Sequence, residues 1–342
     1  MNTPADAPED RSQRHARWLQ QHQEPVIEPD LAVVDPHHHL WDREGERYDL
    51  ASLQDESRSG HTLKASLYVE CLNRYRADGP APLRCVGETE WWVEQVHLAE
   101  RDGHRPICQG LIARSDLLLG AAVGPVLQAH ARAAGPGLKG FRFCAAHDAD
   151  PRLRSHYPSP PDPFGQGAVD PGLEAVARAG LPLDVWVYFH QLPAVAAWLE
   201  RHPPTPIVLD HAGGPIGLGP YAGQRDAVRR QWARHLARFR DMPQVSLKFG
   251  GLAMALAGFG WHRRERPASS GELAQAWRPY FDTALSVFGA GRVMFESNFP
   301  VDRAGCSQVT LWNAFKTLCE DLPAPHRLAL LQNNARERYA LH

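Results

Sequence analysis

The sequence of 342 residues carries almost no excess of charge of either sign. Lys and Arg together number 37 and Asp and Glu 39, which gives a net charge of −2 and a pI of about 6.8. A surface that binds nucleic acid or an anionic membrane needs a clear excess of positive charge. The composition therefore predicts no nucleic-acid or membrane partner, and a small molecule is the expected partner.

Closely spaced cysteines and a long apolar N-terminal run are also missing. The six cysteines show no C-x-x-C motif, a pattern typical of reduced thiols in a cytosolic protein. The first thirty residues mix charged residues, glutamines and prolines, so they resemble neither a signal peptide nor a membrane span. We expect residues 1–30 to form an N-terminal arm or surface helix, and the protein to be cytoplasmic.

Strand-like and helix-like segments alternate from residue 31 onward. Eight strands are predicted: Leu31–His37, Ser66–Glu70, Ile107–Ala113, Leu138–Phe143, Leu183–Tyr188, Ile207–Asp210, Val245–Lys248 and Val293–Ser297. Helical patterns lie near 87–101, 119–134, 170–180, 193–202, 224–240, 272–288, 307–320 and 325–339. Eight such units predict one α/β domain over residues 31–342, a (β/α)8 TIM barrel. A doubly wound open sheet is the alternative, but no glycine-rich dinucleotide motif follows the first strand.

Three connections are unusually long and rich in glycine and proline or aromatic residues: 146–171, 211–226 and 249–271. Each follows a predicted strand. In a barrel, such loops lie above the carboxyl ends of the strands, where active sites are built. We therefore expect them to form lids or substrate walls rather than surface padding.

The first predicted strand ends in three consecutive histidines. Because side chains at i and i+2 of a strand share a face, His37 and His39 are expected to point into the same space. Two imidazoles there suit a divalent metal or a pair of proton-transferring groups. A histidine run on a surface loop is the alternative, but the apolar run before it favours a buried strand.

Polar residues end seven of the eight predicted strands. They are His37 and His39, Glu70, Arg142, Tyr188 and His190, His211, Lys248, and Glu296 and Asn298. One polar residue at a strand end is usually structural, but a barrel interior otherwise fills with branched apolar side chains. The set therefore predicts a polar site at the carboxyl face.

Three segments carry a resemblance to a known family. They are Val-Asp-Pro-His-His-His-Leu-Trp-Asp at 34–42, Leu-Asp-His-Ala-Gly-Gly-Pro at 209–215 and Phe-Glu-Ser-Asn-Phe-Pro-Val-Asp at 295–302, supported by 140–143 and 334–336. On these motifs the chain resembles the amidohydrolase superfamily. The resemblance lies with a branch of metal-dependent and metal-free TIM-barrel hydrolases that includes sugar-lactone lactonases and 2-pyrone-4,6-dicarboxylate lactonase.

The resemblance implies roles for four histidines. His37 and His39 match a pair that binds metal in metal-dependent members and contacts substrate in metal-free ones. His211 matches a histidine that polarises the carbonyl or orients water. His190 corresponds to a further metal ligand but is displaced by one residue, and a one-residue shift reverses a strand side chain's direction. His190 is therefore a metal ligand only if a local bulge restores its aim.

The main departure from the family pattern is at Asn298, where related enzymes have an aspartate that takes a proton from water. A carboxamide cannot do this near neutral pH. Glu296, two residues earlier, could supply the carboxylate or form an interior ion pair with Lys248. Asp302 could reach the site from the loop or cap the following helix. The sequence leaves these alternatives open.

Substrate-binding candidates complete the prediction. Arg142 and Lys248 suit a substrate carboxylate, while Trp41, Tyr188 and Trp261 suit either pocket walls or ordinary packing. Glu70 is a further polar candidate.

The expected function is hydrolysis of a small organic-acid ester, most simply a lactone, by activated water. The catalytic candidates are His211, Glu296, Asn298 and Asp302. Zinc or manganese at the histidines and a metal-free site are both compatible with the residues. Alternatives are a metal-dependent decarboxylase of an aromatic or enol acid, and a non-catalytic binder of a small molecule. The number of subunits stays open, with a homodimer among the options.

Overall fold

A computed structural model describes residues 11–43, 46–58, 60–103, 107–165 and 167–341. The first ten residues of the predicted arm, residue 166 of the first long loop and the last residue lie outside this description. In the described part of the chain, no helix is both long and apolar enough to cross a membrane.

Eight parallel strands form one sheet in chain order, and helices flank it. The strands are β1 Val33–His38, β2 Leu63–Val69, β3 Cys108–Arg114, β4 Leu138–Cys144, β5 Leu183–Trp186, β6 Ile207–Leu209, β7 Val245–Phe249 and β8 Val293–Phe295. This confirms the predicted TIM barrel, because each predicted strand overlaps one observed strand. The open-sheet alternative is wrong, since neighbours in the sheet follow the chain without the reversal that a doubly wound fold requires.

The helices are α1 Arg11–Gln20, α2 Leu50–Ser57, α3 Val86–Arg101, α4 Val123–Ala134, α5 Asp170–Ala179, α6 Leu192–Leu199, α7 Arg225–Leu236, α8 Ser270–Phe288, α9 Gln308–Leu318, α10 Ala324–Leu328 and α11 Asn334–Tyr339. Local chemistry sets some of these boundaries. The Ser269 side chain caps the first turn of α8 and Glu272 returns the bond, while Gly180 ends α5 in the left-handed conformation.

The barrel closes through the segments that carry the histidine and asparagine motifs. The backbone N–H of Asn298 donates to His37 O at 2.8 Å, and that of His39 donates to Phe299 O at 2.6 Å. Just before this junction, β1 shifts register against β2 between Asp35 and His38. The Asp35 carboxylate spans the irregularity, since Oδ1 accepts from the N–H groups of His37 and Ser297 at 3.2 and 2.9 Å.

The barrel interior has an apolar layer with a charged layer above it. Side chains of Val34, Leu67, Ile112, Val208 and Met294 form one buried cluster with Tyr339 of α11. Two residues after these apolar residues, several strands carry a charged side chain on the interior face. This period of two places the charged groups nearer the carboxyl ends.

One feature between β1 and β2 escaped the sequence prediction. Trp41–Arg43 and Glu46–Tyr48 form a short antiparallel hairpin, and α2 follows it. Strands of three residues are too short to show an alternating pattern, so periodicity could not indicate them.

The three long loops follow β4, β6 and β7, as predicted, and contact each other. Gly217 and Gly258 bring two of these loops together so closely that a Cβ on Gly217 would lie 2.6 Å from Gly258 Cα. Tyr221 donates a hydrogen bond to Asp148 Oδ2 at 2.9 Å, which joins the loops 211–226 and 146–171. The loops therefore form one cover over the carboxyl face.

Candidate active site

Glu296 lies between two imidazoles at the carboxyl face. Its Oε1 accepts from His211 Nδ1 at 2.8 Å, and its Oε2 lies 2.7 Å from His37 Nδ1. The side chain is fully buried. Burial alone would raise the pKa of Glu296, but His211 and His37 outweigh it and lower the pKa to about 2. The structure therefore places an ionised carboxylate where it orients two rings.

The free nitrogens of His37 and His39 face each other. His39 Nδ1 lies 2.8 Å from the carbonyl oxygen of Val69, which can only accept, so Nδ1 carries the proton. The Glu296 carboxylate, 2.7 Å from His37 Nδ1, favours a proton on that nitrogen. Each Nε2 is then unprotonated and offers a lone pair to a metal ion, and the two nitrogens are 3.3 Å apart. Burial lowers the pKa of both rings well below the usual value, so both stay neutral.

This donor pair fits a divalent metal. Two nitrogens bound at about 2.0–2.1 Å to a tetrahedral zinc lie about 3.4 Å apart, close to the observed separation. The outward nitrogens face a carboxylate at 2.7 Å and a carbonyl at 2.8 Å, the usual support of metal-binding histidines. His37, His211 and Glu296 also offer ligand atoms that all lie within 4.8 Å of one another.

His211 shares this space. Its ring centroid is 4.6 Å from that of His37 and 4.6 Å from that of Trp186, which stands edge-on to it. His211, Ala212 and Asn298 have positive φ angles of 52°, 53° and 52°, unfavourable for residues with a Cβ. Such conformations persist where the surrounding structure enforces them and cluster at functional sites.

Asn298 lies between His39 and Asp302. Its Oδ1 is 3.2 Å from His39 Nε2, and its Nδ2 donates to Asp302 Oδ1 at 3.3 Å. Asp302 is buried, and its Oδ2 makes no hydrogen bond to the described residues. Burial raises the pKa of Asp302 to about 7. Ser307 rather than Asp302 caps α9, so the helix-cap alternative for Asp302 is wrong.

Lys248 pairs with an aspartate and not with Glu296. Its Nζ lies 2.5 Å from Asp184 Oδ2, and Asp184 Oδ1 accepts from the Tyr339 hydroxyl at 2.7 Å. Asp210 is 3.6 Å from the same Nζ and 3.5 Å from His37 Nδ1. Burial alone would lower the pKa of Lys248, but Asp184, Asp210 and Glu296 together outweigh it and the pKa is raised. The predicted alternative of a Glu296–Lys248 pair is therefore replaced by a Lys248–Asp184 pair.

Glu70 and Arg142 form a second buried ion pair. Arg142 Nε donates to Glu70 Oε1 at 3.0 Å, and its Nη2 donates to the Glu70 carbonyl and to the Tyr157 hydroxyl. Nη1 lies 4.0 Å from Asp210 Oδ2. Tyr157 comes from the loop 146–171, so this loop covers the pair. All three guanidinium nitrogens of Arg142 thus face groups of the protein.

The structure does not bring His190 together with His37 and His39. In a short turn after β5, its Nε2 is 3.0 Å from Asp148 Oδ2 and its ring stacks on Tyr221. β5 as described ends at Trp186, before His190. It therefore contains no bulge that would turn the His190 side chain towards His37 and His39.

The predicted aromatic candidates make contacts within the loops and the hairpin. The Tyr188 hydroxyl donates to Leu153 O at 2.7 Å, which ties β5 to the loop 146–171. Trp41 lies in the hairpin under Arg43, with 5.2 Å between guanidinium carbon and ring centroid. Trp261 stacks on Phe259 within the loop 249–271.

Sequence reasoning missed two kinds of site residue. Asp184 lies in β5 and Asp210 directly follows β6. In the sequence, a carboxylate within or directly after an aliphatic run was the available signal. Gly250 and Gly251 follow β7: a Cβ on Gly250 would lie 2.4 Å from Glu296 Cγ, and one on Gly251 2.7 Å from His211 Cβ. Only the tertiary structure shows why these two positions lack side chains.

Comparison with known proteins identifies the family. The sequence model of the amidohydrolase family matches residues 34–341, so the chain belongs to this family. The uncharacterised protein y4mH of Sinorhizobium fredii is 27% identical over 327 residues, covering 91% of this chain and 99% of that protein. An L-fucono-1,5-lactonase of Burkholderia multivorans is 33% identical over 159 residues, covering 46% of this chain and 51% of that enzyme.

Solved structures with the same fold include metal-containing enzymes. An amidohydrolase from Burkholderia multivorans with bound zinc superposes with a TM-score of 0.69 at 24% identity, covering 91% of this chain and all of that chain. A 5-carboxyvanillate decarboxylase from Novosphingobium aromaticivorans, complexed with manganese, gives a TM-score of 0.56 at 13% identity over 92% of this chain and 97% of that chain. At these identities the likeness shows the fold.

Proposed function

We propose that this protein hydrolyses a lactone that carries a free carboxylate. The observation that carries the proposal is the shared Glu296 carboxylate, which contacts Nδ1 of both His37 and His211. The match to an L-fucono-1,5-lactonase over about half of each chain supports this reaction class.

Asp302 is the general base in this proposal. A base is most effective when its pKa lies near the working pH, and burial brings the pKa of Asp302 to about 7. Asn298, the residue at the family's aspartate position, donates to Asp302 and holds it in place. The carboxylate absent from position 298 is thus supplied four residues later.

The chemical step follows from these placements. The oxygen of a water molecule bonds to the lactone carbonyl carbon while its proton passes to Asp302. His211, held by Glu296, hydrogen-bonds the carbonyl oxygen as negative charge develops there. When the acyl–oxygen bond breaks, Asp302 returns the proton to the leaving oxygen, and the product is a hydroxy acid.

His37 and His39 would hold a divalent ion such as zinc or manganese, which when bound supplies Lewis-acid polarisation of the carbonyl. The zinc found in a structure of the same fold supports this part of the proposal. The six cysteines all lie as free thiols, which supports a cytoplasmic location as a further part of it.

A panel of sugar lactones and carboxylated lactones, followed with a pH indicator that reports acid release, tests the function. We expect turnover of at least one member, and loss of that turnover by a factor of about 100 or more in His211→Ala. Full activity of His211→Ala would overturn the mechanism. Release of CO2 from aromatic acids, without hydrolysis of any lactone, would show that the decarboxylase alternative is correct.

A further inference from the structure

The two cations that the sequence suggests for a substrate carboxylate are both engaged within the protein. Lys248 is fully buried and lies 2.5 Å from Asp184. Arg142 is bonded to Glu70 and Tyr157. If the substrate is anionic, another cation at the carboxyl face has to receive it.

Arg114 is at the position where such a cation is needed. It is the last residue of β3, two residues after Ile112, which points into the apolar interior layer, so the period of two directs Arg114 to the same interior face. It pairs in register with Arg142 on the neighbouring strand. Arg142 in turn contacts Asp210, and Asp210 contacts His37. Arg114 is therefore the strand neighbour of Arg142, whose side chain leads to the imidazoles through Asp210.

Arg114 makes looser contacts to carboxylates than Arg142, which bonds directly to Glu70. Among the described residues, Asp116 is the carboxylate within 4 Å of the Arg114 nitrogens, at 3.8 Å from Nη2, and its side chain is one-third exposed. Against the effect of burial, Glu70 also acts on Arg114 and raises its pKa. The Arg114 side chain itself is 14% exposed, compared with 4% for Arg142. The guanidinium stacks on the ring of Tyr157 at 4.9 Å, which holds it without using its N–H donors.

A polar group without a partner lies close by. The Tyr75 hydroxyl is buried and makes no hydrogen bond to the described residues. Burial raises the pKa of Tyr75, Glu70 and Glu88 add to this shift, and Arg114 acts against it, which places all three charged groups within electrostatic range of the hydroxyl.

We propose that Arg114 is the residue that binds the free carboxylate of the substrate, through its guanidinium fork beside Tyr157 and Tyr75. This inference rests on the proposed lactone hydrolysis for its substrate class. It makes Arg114 a determinant of specificity, because a lactone without a carboxylate would gain nothing from it.

The test uses two lactones and one product. γ-Carboxy-γ-butyrolactone carries the carboxylate and opens to 2-hydroxyglutarate, whereas γ-butyrolactone lacks it. We expect Arg114→Gln to weaken binding of 2-hydroxyglutarate, measured by calorimetry, about 10- to 100-fold, the value of a charge-assisted hydrogen bond. The same factor should appear in kcat/KM for the carboxylated lactone, mainly through KM, and kcat/KM for γ-butyrolactone should not change.

Two further variants protect the test against a general loss of structure. Arg114→Lys keeps the charge and should retain more binding than Arg114→Gln. Arg178→Gln removes an exposed arginine of α5, whose closest acid is 3.8 Å away, and should bind 2-hydroxyglutarate like the wild type.

The outcomes separate this inference from the proposed function. Wild-type binding of 2-hydroxyglutarate by Arg114→Gln, or no binding by the wild-type protein, would overturn the role of Arg114 even if lactones are hydrolysed. Loss of binding in Arg114→Gln, with no lactone hydrolysed by the wild-type protein, would support the anion site and overturn the lactonase.

Discussion

Glu296 Oε1 accepts two hydrogen bonds from one residue, His211: from its backbone N–H at 2.9 Å and from its ring Nδ1 at 2.8 Å. The double contact fixes both the strained backbone of His211 and the tautomer of its ring. The remaining ring nitrogen is then the one that can meet a substrate. The predictions below start from this contact.

Glu296→Gln should lower kcat by a factor of about 100 or more, because an amide cannot hold two protonated Nδ1 atoms. Steady-state kinetics on the substrate found in the lactone panel measure this. Glu174→Gln on the exposed side of α5 is the control and should retain wild-type kinetics. Equal kcat in Glu296→Gln and the wild type would contradict the orienting role.

The same contact should make stability depend on pH. Because the pKa of Glu296 falls from an ordinary 4.5 to about 2 on folding, its contribution is present above about pH 4.5 and is lost as the pH falls towards 2. Urea unfolding of wild-type protein and Glu296→Gln should therefore give free energies of unfolding that converge in this acid range. A constant difference between them would argue against the low pKa.

Activity should rise with pH through about 7, since Asp302 must lose its proton to act as a base and its pKa is about 7. The pH profile of kcat/KM should show this limb, and Asp302→Asn should lose both the limb and most of the activity. The sign for stability is opposite to that of Glu296. Because the pKa of Asp302 is higher in the folded than in the unfolded state, the folded state binds the extra proton. The free energy of unfolding therefore declines through this group as the pH rises from about 4 to about 7. A flat activity profile would assign the base to another group.

Gly251→Ala should reduce activity about tenfold or more, because the new Cβ would lie 2.7 Å from His211 Cβ and displace the ring. Gly180→Ala is the matched control: it has the same φ of +69°, but an added Cβ meets nothing within 4 Å. Both variants should lose about 1 kcal/mol of stability from the left-handed backbone. Kinetics and thermal unfolding measure the two effects, and similar activities for the two variants would show that Gly251 does not position His211.

Zinc added to chelator-treated protein should raise its melting temperature, because a ligand that binds only the folded state stabilises it. His39→Gln should abolish most of this increase. His190→Gln should preserve it, since His190 contacts Asp148 and lies outside the facing pair. Calorimetric titration with zinc gives the affinities, and equal losses in the two variants would place the metal elsewhere.

The fold could be predicted in large part because it depends on short-range patterns. Eight apolar segments with polar ends, separated by amphipathic helices, allow few arrangements other than a closed parallel barrel. The hairpin at 41–48 and α2 were missed because segments of three and eight residues carry too little periodicity.

By itself, the sequence determined which residues stand at the carboxyl ends of the strands and which of them share a face. It could not determine their partners, since each partner comes from another strand around the barrel. Only the tertiary structure paired Glu296 with His37 and His211, Lys248 with Asp184, and Arg142 with Glu70. It also turned Asp302 inward and His190 towards Asp148. The physical reason is that a strand's period sets the direction of a side chain, whereas the distances across a closed barrel decide which charge each side chain meets.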